Sequence, residues 1–295
     1  MRKAGSLWRL EGLTWRELAG RVFTQIQQDE VFGRAAQLSY YFLFALFPLL
    51  LFLTALLGYF TEVGTKLRAR VLDFLGAIAP PSAYELIYKT VDEISRTKSA
   101  GKISIGLLVA LWASSNGMVA IITSLNAVYN LDERRVWWKR RLVSIGLTIA
   151  FAALILTALT LLLFGREIGE HIAGSYGLGK VFTLTWRIVQ WLVALGVVLL
   201  SFGLIYNLAP NLKERRWRWL TPGAVLGVTL WLSVSFVLRL YLDHFNSYSV
   251  SYGSLGAVII LMLWFYLTGA SILIGGEVNS EVMKHQRERA RRNQE

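Results

Sequence analysis

Six long apolar segments are the feature of this sequence that most limits what it can fold into. Each has about the 20 residues that a helix needs to cross ~30 Å of hydrocarbon, and each is almost free of charge. Inside a bilayer, backbone N–H and C=O groups find partners only within a helix or a closed barrel, and barrel strands are short and alternate in polarity. The sequence therefore predicts an all-α, polytopic membrane protein. The predicted spans are 36–60, 103–129, 142–164, 183–206, 219–241 and 253–275.

The spans divide the chain into three parts. A six-helix membrane domain, 36–275, lies between an N-terminal tail, 1–35, and a basic C-terminal tail, 276–295. In the first tail, Thr14 and Glu17 fit a capping box, and apolar residues follow at helical spacing. This pattern predicts an amphipathic helix lying at the membrane interface. The alternative is that its apolar face packs on a soluble partner.

The segment 61–102 is the longest stretch predicted between two spans. It contains two apolar stripes at helical spacing, separated by Pro80 and Pro81, and a second capping box begins at Ser82. We expect residues 65–98 to form an amphipathic helical hairpin on the periplasmic side. The pattern leaves open whether this hairpin covers the bundle or lies at the interface.

Lysine and arginine are distributed unevenly around the spans, and this asymmetry predicts orientation. One set of segments is rich in them, with six in 1–35, five in 130–141, four in 207–218 and five in 276–295. The opposite loops, 165–182 and 242–252, have two and none. Both termini are therefore predicted to lie in the cytoplasm. The net charge of +12 then reflects topology, with anionic lipid headgroups as the expected partners and no nucleic acid.

Polar side chains inside the spans, or just beyond a span end as for Glu277, are candidate substrate-path or headgroup-binding residues. Each needs a partner, which is either a neighbouring helix or water in a cavity. The tyrosines have a further alternative in the interfacial aromatic belt. The two arginines, near the predicted outer span ends, either snorkel to headgroups or cradle a phosphate. The candidates are Gln37, Tyr40, Tyr41, Asn116, Asn126, Arg187, Arg239 and Glu277.

A second set of residues is predicted to shape the helices and their contacts. Pro48 frees a backbone carbonyl within the first span and is expected to kink it. Small residues four positions apart let two membrane helices approach closely. Gly223 and Gly227 form such a pair in the fifth span, and Ser271 and Gly275 form one in the sixth.

Two segments of the chain resemble each other. Residues 129–138 and 206–219 both begin with Tyr-Asn-Leu and continue with Glu-Arg-Arg and tryptophan. One interpretation is a parallel repeat, in which the second and third spans correspond to the fourth and fifth. The other is that the two segments became similar independently, because membrane interfaces favour basic and aromatic residues.

Motifs of common enzymes are missing from the sequence. It has no cysteine, three scattered histidines, and no HExxH, GxSxG, GxGxxG or GxxxxGK[ST] pattern. We therefore expect no catalytic set, no metal site and no cofactor, and we do not expect an enzyme.

Several motifs occur in the order found in one known family. They are residues 35–48, 125–129, 206–210, 222–224, 252–257 with Trp264, and 275–279. Over roughly residues 20–283 the chain resembles the YihY/BrkB family of bacterial inner-membrane proteins. Gln37 and Ser39 depart from the small apolar residues expected at those positions. The resemblance implies six spans with both ends inside and a location in the bacterial inner membrane.

The resemblance does not bring a settled activity. The family has carried a ribonuclease label, and some members are linked to serum resistance and to envelope lipid phenotypes. The residues favour a transporter or flippase-like protein for a lipid or another amphiphile. The main alternative is a non-transporting envelope scaffold that recruits partners, with a homo-oligomer or another envelope protein as its partner. A ribonuclease is the least favoured, because no paired acids or histidine cluster is present to hold the metal that such chemistry needs.

Overall fold

A computed structural model describes residues 8, 12–57, 69, 72–73, 88, 100–175, 180–212, 220–244 and 248–292 of the chain. Over these residues the secondary structure is helical, without strands. Seven helices of more than one turn are described: α1 Trp15–Gln28, α2 Val31–Leu57, α3 Ala100–Val128, α4 Trp137–Ser175, α5 Lys180–Leu208, α6 Pro222–His244 and α7 Tyr248–Arg292.

Helices α2 to α7 are each long and apolar enough to cross a membrane. This confirms the predicted all-α, six-span architecture. The helices begin earlier or end later than the predicted spans, because a helix continues beyond the apolar stretch wherever its backbone stays paired and its side chains find contacts. The predicted periplasmic hairpin, 65–98, lies almost entirely outside the described residues.

The core of the bundle forms where α2, α3, α5, α6 and α7 meet. Helix α2 packs on both α3 and α7, while α6 packs on α7 and α4 packs on α3 and α5. Leu38, Ile122, Leu125 and Leu273 are fully buried in this core. Lipid is as apolar as these side chains, so close packing and interhelical hydrogen bonds hold the helices together.

Helix α1 begins with the predicted capping box. The Thr14 side chain accepts a hydrogen bond from the Glu17 N–H at 3.2 Å, and the Glu17 carboxylate accepts one from the Thr14 N–H at 2.9 Å. These bonds lower the pKa of Glu17 below its ordinary value. The capping box fixes where α1 starts and hence which of its faces turns towards α7.

The apolar face of α1 packs on the chain itself. Leu18 and Val22 are buried against Val278 and Val282 of α7, whereas Trp15 is exposed. An apolar stripe of α7 thus covers part of the apolar face of α1, and the position of α1 at the membrane interface stays a prediction. We call the end of the bundle where α1 meets α7 the terminal end.

Two helices extend through segments that the sequence analysis assigned to loops or tails. Helix α4 continues to Ser175, through much of the predicted loop 165–182. An Arg166–Glu170 ion pair at 2.8 Å and a hydrogen bond from the Trp186 indole to the Gly165 carbonyl accompany this extension. Helix α7 continues to Arg292, so most of the predicted tail 276–295 is helical.

Candidate functional site

A pocket of about 550 Å³ lies between α2 and α3. It brings together four of the predicted site residues, Gln37, Tyr40 and Tyr41 from α2 and Asn116 from α3. Arg34 adds a positive charge to the same lining. The volume falls within the ~300–1,000 Å³ typical of pockets for small ligands.

The α2 wall of the pocket follows from helical periodicity. Arg34, Gln37, Tyr41 and Phe44 recur at three- and four-residue spacing, so they share one face of the helix. The Tyr40 ring lies 4.6 Å from the ring of Phe44, and Tyr40 remains 53% exposed. This wall therefore has a polar, charged end at Arg34 and an aromatic end whose rings are exposed on the surface of a membrane span.

On the α3 side, Asn116 is held by a buried arginine from α4. The Arg141 guanidinium donates to Asn116 Oδ1 at 2.8 Å and to the Trp112 carbonyl, and it lies 3.8 Å from the centroid of the Trp112 ring. Arg141 is buried, yet among the described residues its partners are an amide, a carbonyl and an aromatic face. Asn116 therefore makes an interhelical bond and also lines the cavity, and its place on a substrate path stays a prediction.

Asn126 occupies a different place, in a network at the terminal end. Its amide donates to Glu133 Oε2 at 2.9 Å, and its carbonyl oxygen accepts from the Asn211 N–H at 2.8 Å. Arg135 donates to both oxygens of Glu133 and to the Ala209 carbonyl at 2.9 Å. The network ties the segment after α3 to the segment after α5, which are the two segments that resemble each other in sequence.

The charge of Glu133 is fixed by this network. Partial burial acts to raise the pKa of Glu133, but hydrogen bonds from Arg135, the charge of Arg135 and the Asn126 amide outweigh it. The pKa therefore stays below its ordinary value of 4.5. Glu133 is a structural anion that holds two loops, and it does not line the pocket.

Glu277 lies in α7 and is 0% exposed. Neither of its carboxyl oxygens has a hydrogen-bond donor among the described residues. Among charged groups, the carboxyl of Asp29 most strongly disfavours a negative charge on Glu277. Asp29 lies in the turn between α1 and α2, and its carboxyl is within hydrogen-bonding reach of the Glu277 carboxyl. Both helices that flank that turn pack on α7, so the fold holds the two carboxyls together.

Close packing of α6 on α7 surrounds this region. A Cβ atom on Gly275 would overlap the Gly223 carbonyl oxygen and the Tyr206 hydroxyl, and it would lie 3.2 Å from Gly227 Cα. The Tyr206 hydroxyl donates to the Ile272 carbonyl at 2.7 Å. Gly223 and Gly275 thus lie where two helix backbones touch, whereas a Cβ atom on Gly227 would meet the side chains of Tyr206 and Phe202.

Asn279, one turn further along α7, organises the start of α6. Its Oδ1 accepts from the Gly223 N–H at 3.0 Å, and its Nδ2 donates to the Thr221 hydroxyl at 3.0 Å. Thr221 in turn accepts from the Ala224 N–H. These bonds satisfy backbone donors that the first turn of a helix leaves open.

The remaining candidates lie elsewhere. Arg187 and Arg239 are exposed, and neither lines the pocket described above. Pro48 lies inside α2, which is helical on both sides of it. Ser271 is buried and donates to the Leu267 carbonyl of its own helix at 2.8 Å.

Several residues of these sites were missed by sequence reasoning. Arg141 was counted among the basic residues of a loop, although its position five residues into α4 places it beside α3. Asp29 was passed over as part of a polar tail. Tyr129 and Asn279 lie in the family motifs 125–129 and 275–279. Their place in these motifs is the sequence signal that could have identified them. Tyr129 is buried and lies beside Asn279 and Glu277.

Comparison with known proteins supplies a family. The family model described as virulence factor BrkB matches residues 22–295. The ribonuclease-like protein YfkH of Bacillus subtilis strain 168 is 39% identical over 269 residues, which are 90% of this chain and 95% of that relative. UPF0761 membrane proteins of Xanthomonas oryzae pv. oryzae strain PXO99A and Xanthomonas campestris pv. campestris strain 8004 are each 27% identical over 264 residues, 86% of this chain. The match spans 58% of the length of these Xanthomonas relatives. No solved structure matches the chain.

Proposed function

This chain belongs to the virulence factor BrkB family, and on that premise we propose that it is a transporter or flippase-like protein for a lipid or another amphiphile. The chain is an integral membrane protein with six candidate spans. The pocket between α2 and α3 is the observation that carries the proposal, because it joins a charged, polar end to an exposed aromatic end.

The polar end suits a headgroup. The Arg34 Nε–H donates to the backbone carbonyl of Asp29 at 2.8 Å, so that bond does not neutralise its charge with a carboxylate. Asn116, Thr123 and Ser124 add amide and hydroxyl groups to the same cavity. A guanidinium surrounded by neutral hydrogen-bonding groups favours an anionic headgroup such as a phosphate.

The aromatic end suits an acyl chain. Tyr40, Tyr41 and Phe44 line the pocket and are exposed on the surface of a candidate membrane span. A ligand with its headgroup at Arg34 can therefore extend its apolar part past these rings towards surrounding lipid. Aromatic side chains with a polar tip are favoured at this boundary between headgroup and hydrocarbon.

The test is lipid movement in liposomes that contain the purified protein. Ala113 lines the pocket, and Ala113→Phe places a ring in the cavity. Ala153 is an exposed alanine of α4, and Ala153→Phe adds the same ring outside the pocket. We expect the wild type and Ala153→Phe to move a labelled anionic phospholipid between leaflets, and Ala113→Phe to lose most of that movement.

Two results would contradict the proposal. One is lipid movement by the wild type that does not exceed that of protein-free liposomes, which would favour the non-transporting scaffold. The other is equal movement by both phenylalanine variants, which would separate transport from the pocket. RNA cleavage measured on the same liposomes tests the activity suggested by the name of the Bacillus relative.

Orientation is part of the proposal. We infer that both termini lie in the cytoplasm, and the excess of lysine and arginine in the segments next to the terminal end supports this. The chain has no cysteine, so a single cysteine introduced at Ser82 can be labelled cleanly in whole cells. An impermeant reagent should reach that cysteine and should not reach one introduced at Arg134. The opposite pattern of labelling would reverse the orientation.

A further inference from the structure

We propose that Glu277 and Asp29 form a proton-binding site in which the two carboxyls share one proton and fasten the α1–α2 turn to α7. This goes beyond the proposed function, because it concerns a different group of residues and does not depend on what the pocket carries. Two observations support it independently, namely the complete burial of Glu277 without a donor and the position of the Asp29 carboxyl beside it.

The first step concerns the buried carboxyl. An ionised carboxylate removed from water needs hydrogen-bond donors or a cation, because burial of an isolated charge is very costly. Glu277 is 0% exposed, and neither Oε1 nor Oε2 has a donor within the described part of the chain. A proton removes the charge and so resolves this cost.

The second step concerns the partner. A carboxylate accepts hydrogen bonds and cannot donate them, so two carboxyls bond to each other only when one is protonated. Asp29 Oδ2 already accepts from the Gln25 amide at 2.9 Å, whereas neither oxygen of Glu277 has a donor within the described part of the chain. The proton then resides mainly on Glu277, which donates to Asp29. Such a pair titrates as one unit.

The third step accounts for the other charged and polar groups around Glu277. On α7 itself, the Lys284 ammonium attracts Glu277 but bonds Glu281 at 2.8 Å. Tyr129, the residue after α3, is buried and faces the same region. From α2, Arg34 donates its Nε–H to the Asp29 backbone carbonyl. Because Lys284 and Arg34 make these bonds elsewhere, a shared proton is left to remove the repulsion between the carboxyls of Glu277 and Asp29.

The consequence is a contact that depends on pH. With the proton bound, the contribution of the pair to stability is complete only at low pH, where the same carboxyls are also protonated in the unfolded chain, and it is lost progressively as pH rises until the proton leaves the folded protein. Two adjacent buried carboxylates repel each other, and the elements that carry them are the α1–α2 turn and α7. Loss of the proton is therefore expected to loosen α1 from its contacts at Val278 and Val282.

Infrared spectroscopy of the full chain in micelles of an alkyl maltoside, a detergent without carbonyl groups, tests the site. A protonated carboxylic acid has a C=O stretch that an ionised carboxylate lacks, so the band can be followed as pH rises. Glu277→Gln removes the proton carrier and keeps the shape of the side chain. Glu281→Gln is the matched control, because Glu281 lies one turn away on α7, is also buried, and has Lys284 as its partner.

We expect a protonated-acid band at pH 7 in the wild type and in Glu281→Gln, and its loss in Glu277→Gln. Asp29→Asn offers an amide donor to Glu277, so its band should disappear at a pH lower by about 1 unit or more. If Glu277→Gln does not fold, the Asp29→Asn titration decides the question alone.

Three results would overturn the proposal. The first is a wild-type band at pH 7 that Glu277→Gln leaves unchanged, and the second is a band that Glu281→Gln removes. The third is a wild type without the band at pH 7. If the thermal stability of that wild type in detergent then rises with added sodium, and Glu277→Gln abolishes the rise, the pair is a cation site.

Discussion

Replacement of Gly275 by alanine tests the contact between α6 and α7 most directly. The new methyl group would overlap the Gly223 carbonyl oxygen, which belongs to a helix backbone and cannot rotate away. It would also overlap the Tyr206 hydroxyl, which donates to Ile272 at 2.7 Å. The helices must therefore separate, or the tyrosine must give up its bond.

The magnitude follows from these two costs. Overpacking of a close contact costs about 1–3 kcal/mol, and loss of a buried hydrogen bond adds roughly 0.5–1.5 kcal/mol. We expect Gly275→Ala to lower the free energy of unfolding by about 2–4 kcal/mol. Gly146 of α4 is the control, because no heavy atom lies within 4 Å of a Cβ placed there. Gly146→Ala should be neutral, or stabilising by up to about 1 kcal/mol.

The measurement is reversible unfolding in mixed micelles, followed by circular dichroism as the denaturing detergent is increased. Tyr206→Phe in the Gly275→Ala background removes the hydroxyl overlap but leaves the overlap with Gly223, so it should restore only part of the loss. The reasoning is refuted if Gly275→Ala unfolds within about 0.5 kcal/mol of the wild type, a difference typical of surface substitutions. It is also refuted if Gly146→Ala is destabilised to the same extent.

Three further outcomes are expected. Asn116→Leu leaves the buried Arg141 guanidinium without one acceptor and should cost about 1.5–3 kcal/mol in the same unfolding assay, and an unchanged stability would show that this bond is dispensable. Because the network lowers the pKa of Glu133, the stability that ionised Glu133 contributes is complete above the ordinary pKa of 4.5 and is lost as pH falls below it. The melting temperature of Glu133→Gln should therefore fall less than that of the wild type as pH is lowered from 6 to 3. Arg187→Lys and Arg239→Lys keep the charge but lose the bidentate fork, so each should reduce lipid movement at unchanged membrane insertion if the pair grips phosphate, and full activity in the double variant would remove both from the site.

The number of spans could be predicted from the sequence because hydropathy alone encodes it. A segment of about 20 apolar residues has no other favourable place than the bilayer. The ends of the helices could not be predicted in the same way. Residues 276–292 are charged enough to suggest a tail, and they form a helix whose apolar stripe at Val278 and Val282 is covered by α1.

The α2 side of the pocket was also within reach of sequence analysis. Gln37 and Tyr41 share a helical face, and this follows from spacing alone. That Asn116 faces the same cavity depends on how α2 packs on α3, which no local pattern specifies. The pair of Asp29 and Glu277 is further from reach, since the two residues are distant in sequence and meet only when α1, α2 and α7 are assembled.

The length of α7 has a mechanical consequence. Its 45 residues correspond to about 68 Å at 1.5 Å per residue, more than twice the ~30 Å hydrocarbon core. The 16 residues from Glu277 to Arg292 therefore extend α7 by about 24 Å beyond the predicted span, and a tilt of about 10° would move their far end by about 4 Å. Because α1 packs on Val278 and Val282 in this part of α7, any tilt of α7 that follows a change in bilayer thickness would displace α1 with it.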